Sequence, residues 1–187
     1  MDLSPDRADD ESVRTSMGAG HVRAVGGDVA SAVLRVAIGG TMIAHGYKHG
    51  TSLEGTARWF GSIGFRNPAL QARASAAVEI GSGALLLAGA ATPLAAAAVV
   101  GTMAVAARSV HARNGFFITA EGWEYVTNLA AGAVALAGIG PGRLSVDHAV
   151  GLDRRVGGGR AAALAATLGL AGAATQLATF WRKPETR

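Results

Sequence analysis

The sequence contains no cysteine, which excludes disulfides, thiolate metal sites and thiol–disulfide redox chemistry in the chain itself. It has no HExxH run and no carboxylate-rich two-metal pattern, so a hydrolytic metal centre is not encoded. It also lacks a flavin-type GxGxxG after a strand-like run, so electrons for any redox step must come from another protein or a bound cofactor. Charge is sparse: 16% of residues are charged against 50% hydrophobic, too apolar for an ordinary soluble domain. The N-terminal stretch also reads as a poor signal peptide. The start is acidic, and the first apolar run comes late without a small-residue cleavage pattern, so that run is expected to stay as an anchor.

What is present is a series of Ala-, Leu-, Val- and Gly-rich blocks, the composition of helices packed in lipid. The reading is all-α: a polytopic membrane helix bundle with a four-span core and a fifth C-terminal transmembrane helix. Residues 1–28 read as a disordered tail, 29–150 as the four-helix domain, and 151–187 as a Gly/Arg linker with the fifth apolar helix. The net charge of +4 and pI near 10.3 do not indicate nucleic acid. The basic residues lie mostly in short connections, where Lys and Arg meet lipid headgroups, so the bilayer is the expected partner.

The first span runs from about Val29 to Tyr47. On a helical wheel Arg35, Met42, His45 and His49 share a face, with Lys48 beside them; Arg35 is expected to snorkel to the near interface. Residues 50–71 suggest a short interfacial helix anchored by Trp59 and Phe60. The second span, Ala72 to Thr92, is long enough to cross yet carries Glu79 about two turns in. Ser75 and Ser82 lie on its face, and Gly81 and Gly83 permit close approach of a neighbour. Thr92-Pro93 is the only break before a third span, Leu94 to Val110, which ends in Arg108, His111 and Arg113. The fourth span begins near Glu124, with Glu121, Glu124 and Asn128 as one stripe, and Gly140-Pro141-Gly142 stops it. The fifth block, Ala161 to Trp181, has no internal charge and reads as a supporting span.

Antiparallel spans place alternate ends on one side of the membrane. Connectivity therefore gathers His45, Lys48 and His49, then Ser75 and Glu79, then Arg108 and His111, then Glu121 and Glu124 into one leaflet. The opposite side of the hairpin offers only Thr92-Pro93. A buried carboxylate needs a partner, and Lys48 and Arg108 are available to balance Glu79 and Glu124. The structural alternative for His49, Arg113 and Glu121 is that they sit in headgroups near span ends. His45 and His49 at i, i+4 with His111 could ligate a metal or haem, but no ligand pattern accompanies them and the expectation is no metal.

The ordered set LRVAIGGTMIAHGYKHG, WFGSIGFRNP, VEIGSGALLLAGAATPLAA, SVHARNGFF, EGWEYVTNLAAGAVAL and GPGRLSVD resembles the DoxX family, over roughly residues 30–150. The resemblance implies a four-helix protein of the bacterial cytoplasmic membrane. It also implies a cytoplasmic N-terminus, with the polar cavity on the outer side. The family takes its name from a small subunit of a thiosulfate:quinone oxidoreductase. Its recurring polar positions fall at His45, Gly46, Lys48, Glu79, His111, Glu124 and Asp147. The acidic tail and fifth span lie outside the family core.

These readings converge on a membrane subunit of an oxidoreductase system that offers a quinone-type or small-molecule site. His45 and Lys48 would contact carbonyl oxygens, Glu79 would handle protons and Arg108 would hold Glu79. His111 and Glu124 would lead protons to water. Soluble or membrane redox proteins and a second copy of the chain are the partners this admits. The alternatives are a small proton-coupled transporter, in which Glu79 couples proton and ligand movement, and a scaffold anchoring soluble redox enzymes.

Overall fold

The computed structural model of the chain describes the backbone over residues 6–184 and the side chains over residues 25–184. The expected tail at residues 1–28 therefore lies mostly outside the described side chains. The elements are α1 (Asp6–Thr51), α2 (Leu53–Ser62), α3 (Pro68–Ala88), α4 (Thr92–Ser109), α5 (Glu124–Ile139), the single turn α6 (Val146–Ala149) and α7 (Gly158–Phe180). Two short 3-10 turns, His111–Arg113 and Ile118–Ala120, join α4 to α5. Among the described residues there is no strand, only an isolated antiparallel bridge between Phe65 and Trp181. The protein is all-helical.

Among the described residues, three helical stretches are long and apolar enough to cross a membrane: Val25–Thr51, Thr92–Ser109 and Gly158–Phe180. α5 is apolar but has only 16 residues. α3 has the length, at 21 residues, but is outside that set, since Gln71, Arg73 and Glu79 interrupt its apolar run. Burial follows helical periodicity. Ser31, Arg35, Ile38 and Met42 are buried on α1, and Ala72, Ala76, Glu79, Gly83 and Leu86 on α3. The wheel reading thus places Arg35 and Met42 correctly, whereas His45 is exposed beside that inward face.

α1 and α3 approach backbone to backbone. A Cβ on Gly39 would lie 2.8 Å from the Gly83 carbonyl oxygen, and one on Gly83 only 2.6 Å from that of Gly39. Such small-residue contacts suit helix association where water supplies no driving force. Gly81, expected to serve the same purpose, is exposed and has nothing within 4 Å. The central layer is Ile38, Met42, Leu86, Val99, Leu136 and their neighbours.

The α3–α4 hairpin turns where the sequence predicts. α3 closes on left-handed Gly89 (φ 62°), with Gly89 N–H donating to Leu86 and Ala90 N–H to Leu85, a Schellman ending. The far side of this hairpin is far from bare, which corrects the expectation of Thr92-Pro93 alone. Asp147, 3% exposed, accepts from Ala91 N (2.7 Å) and Thr92 N (2.8 Å) and so caps α4. Arg35 does not snorkel. Its guanidinium donates to the carbonyls of Leu86, Leu87, Pro141 and Leu144 at 2.5–3.0 Å. It thereby binds the negative end of the α3 dipole to the loop after α5.

Candidate functional site

At the other end of the bundle lies a cavity of about 740 Å³, lined from α1, α2, α3, α4, α5 and α7. The convergence of successive helix ends in one place is what connectivity predicts. Glu79 is its deepest ionisable group, 4% exposed. Ser75 Oγ donates to Glu79 Oε1 at 2.6 Å, and Ser82 Oγ donates to the Glu79 backbone carbonyl at 3.3 Å. His49 Nδ1 stands 3.1 Å from Glu79 Oε2, but out of line for a hydrogen bond. That oxygen has no hydrogen-bond partner among the described residues.

Gly46 is the reason the two groups meet. It lies inside α1, which runs on to Thr51. A Cβ there would sit 2.9 Å from Glu79 Cβ and 2.9 Å from Ile80 N. Without one, α1 lies directly on α3 and carries His49, three residues on, to the carboxylate. His49 is also enclosed by Trp59 and Phe60, with ring centroids 6.3 and 6.4 Å away. The expected interfacial helix α2 thus forms part of the site wall.

The other sequence-selected residues divide. His45 lines the cavity and stacks on Tyr125, centroids 5.9 Å apart; the Tyr125 hydroxyl is 3.4 Å from His45 Nε2. Lys48 lines the cavity, is exposed and has no ion pair within 4 Å among the described residues. It does not pair with Glu79; the side chain beside that carboxylate is His49. Arg108 does not hold Glu79 either. It is exposed, with its guanidinium carbon 4.6 Å from the centroid of the Trp181 ring.

His111 lies at the cavity mouth, its Nδ1 2.6 Å from the Glu121 carbonyl oxygen. Glu124 is outside the lining and accepts from Ile118 N at 3.0 Å, holding the α4–α5 loop. His111 and Glu124 therefore form no joint proton path. Glu121 is in the left-handed region (φ 57°) before α5 begins, so the helical stripe of Glu121, Glu124 and Asn128 does not exist. The reason is local: NGFFITAEGW folds as a hydrogen-bonded loop, with Trp123 N donating to Gly115 and Glu124 N to Phe116.

Sequence reasoning missed three lining residues. Tyr125 follows Glu124 and faces inward when the helix starts. Gln71 lies one residue before the assigned span and is 4% exposed; it accepts from Gln176 Nε2 at 2.9 Å. Gln176 is the single amide in an otherwise Ala-, Gly-, Leu- and Thr-rich helix, a signal that was available. Its α7 is therefore more than a supporting span. The C-terminal end of α7 is fastened to this side of the bundle by Trp181 Nε1 to Ile63 O (2.8 Å). Arg66 N to Phe180 O and Arg182 N to Gly64 O complete the fastening. Among the described residues no group of three or more His, Asp or Glu side chains is placed to hold a metal ion.

No curated protein and no solved structure matches this chain. Residues 30–112 match the DoxX family model, a segment that holds α1 from Ala30 onward, α2, α3 and α4 and ends before Glu124 and Asp147. Over that segment the chain is similar to the DoxX family, and α5 and α7 lie beyond the matched residues.

Proposed function

We propose that this multi-pass membrane protein is a subunit of an oxidoreductase system in the bacterial cytoplasmic membrane, with a proton-handling site for a quinone-type head group. One observation carries the reading: in the cavity wall, beside a histidine, sits a deeply buried carboxylate whose second oxygen has no hydrogen bond among the described residues. Charge at that depth is costly, and such residues mark ligand or proton sites by default.

The donor set fits a head group with two carbonyl oxygens. Lys48, His45 and Tyr125 provide donors on the α1–α5 side, and the Gln71–Gln176 pair provides an amide donor on the α3–α7 side. Bound, a quinone supplies a two-electron, two-proton acceptor. Glu79 and His49 hold and release protons at Oε2 and Nδ1, and Ser75 keeps the carboxylate oriented through Oε1. The exposed Trp59 and Leu70 beside the cavity give an apolar tail a path to lipid. A partner protein delivers the electrons, as the chain has no thiol. The N-terminus is assigned to the cytoplasm and the cavity to the outer face.

Binding of a short-chain quinone to the purified full chain tests this. Saturable binding that Glu79→Gln weakens at least tenfold supports it. No saturable binding, together with no quinone recovered on solvent extraction of the membrane-purified protein, overturns it. Proton-linked solute uptake lost in Glu79→Gln would replace it by transport.

A further inference from the structure

At the opposite end of the bundle is a second cavity, of about 500 Å³, which the proposed quinone site does not use. Its wall is aliphatic, from Leu94, Ile139, Val156 and Leu164, and its polar lining is concentrated around α6 and the start of α4. The bonding there is uneven. Asp147 spends both oxygens on the Ala91 and Thr92 N–H groups. Arg143 is taken by Asp28, through Nε to Oδ2 at 2.5 Å. His148 Nδ1 is 2.7 Å from Asp153 Oδ2. Two of the lining residues each keep one buried oxygen without a hydrogen-bond partner among the described residues: Oγ1 of Thr92 and Oδ1 of Asp153. Thr92 itself is 1% exposed.

The unmet capacity is thus a carboxylate acceptor and a hydroxyl that can also accept, and the charge is negative. The lining holds three carboxylates (Asp28, Asp147 and Asp153) against one permanent cation, Arg143. It remains net negative even with His148 protonated. An occupant that satisfies such a site brings N–H donors and positive charge at one end, and aliphatic carbon at the other.

We propose that this cavity binds the primary ammonium group of an amphiphile, with Thr92 Oγ1 and Asp153 Oδ1 accepting its N–H donors and the aliphatic wall holding its chain. Two sources share this chemistry, an aminophospholipid of the bilayer and a free long-chain amine.

Native mass spectrometry of the full chain, after exchange into mixed phosphatidylethanolamine and phosphatidylcholine, distinguishes N–H donation from charge alone. Wild type should retain the ethanolamine lipid at least fivefold over the choline lipid, whose N-methyl groups cannot donate. Thr92→Val and Asp153→Asn should each bring that ratio toward one while the chain still melts cooperatively; two variants guard against misfolding of either. A preference for dodecylamine, seen as a rise in melting temperature in lipid-free detergent that both variants lose, would assign the same site to a free amine. Equal retention of the two lipids with no dodecylamine effect overturns the proposal, as does a preference unchanged in both variants. Glu79→Gln should leave all these readouts unaltered, so failure here is separable from failure of the quinone site.

Discussion

Glu79 and His49 meet across the α1–α3 interface with their bonding capacity only partly used: Oε2 is 3.1 Å from Nδ1, yet that oxygen accepts no hydrogen bond among the described residues. Oε1, by contrast, accepts from Ser75 at 2.6 Å. One oxygen is thereby fixed and the other left for a proton or a ligand. The pair is held by helix packing more than by its own attraction.

That pairing predicts a coupling energy. His49→Phe leaves a buried carboxylate without its polar neighbour and should lower stability by about 1–3 kcal/mol. Glu79→Gln removes the charge, and adding it to His49→Phe should recover part of the loss. A double-mutant cycle in detergent should give about 1–2 kcal/mol of coupling; a value near zero would mean that the two groups do not interact.

Gly46 and Gly81 should respond oppositely to alanine. At Gly46 the new methyl meets Ile80 N at 2.9 Å, so the helices must part, at about 1–3 kcal/mol, and His49 retreats from Glu79. At Gly81 nothing lies within 4 Å, and the helix should gain about 0.5–1 kcal/mol. Thermal unfolding of the two variants checks the contrast, and ligand binding should fall only in Gly46→Ala.

Arg35 is expected to be the more damaging basic residue to lose, although it lies outside the proposed site. Arg35→Met strips four carbonyls of their donor and should destabilise by about 3 kcal/mol or more. Arg35→Lys should recover only part, because an ammonium cannot reproduce the planar fork. By comparison, removal of the exposed Arg108 should matter little beyond its contact with Trp181. Melting temperatures of the three variants decide this ordering.

Acid should weaken the α6 end selectively. The hydrogen bond from His148 holds the Asp153 carboxyl below the usual carboxylate range, with Arg154 adding in the same direction. A depressed folded-state value stabilises the fold above the unfolded value, and the contribution disappears as pH falls through the folded one. The difference in melting temperature between wild type and Asp153→Asn should therefore be constant above about pH 5 and shrink below about pH 4. A difference that grows on acidification would contradict the assignment.

The all-helical class, the hairpin at Thr92-Pro93 and the gathering of helix ends around Glu79 follow from the sequence alone. Hydropathy blocks mark helices, and short connections leave successive helices no choice but to alternate direction. Which partner Glu79 takes does not follow. His49, Lys48 and Arg108 all lie within reach by connectivity, and the choice depends on how closely α1 settles on α3. That closeness is decided by Gly46, Gly39 and Gly83, whose missing side chains act only when a particular pair of faces meets. The Arg35 and Asp147 clamps are hidden for the same reason. Their partners are backbone groups from distant segments, and a backbone N–H or carbonyl carries no residue-specific mark until the tertiary fold brings it there.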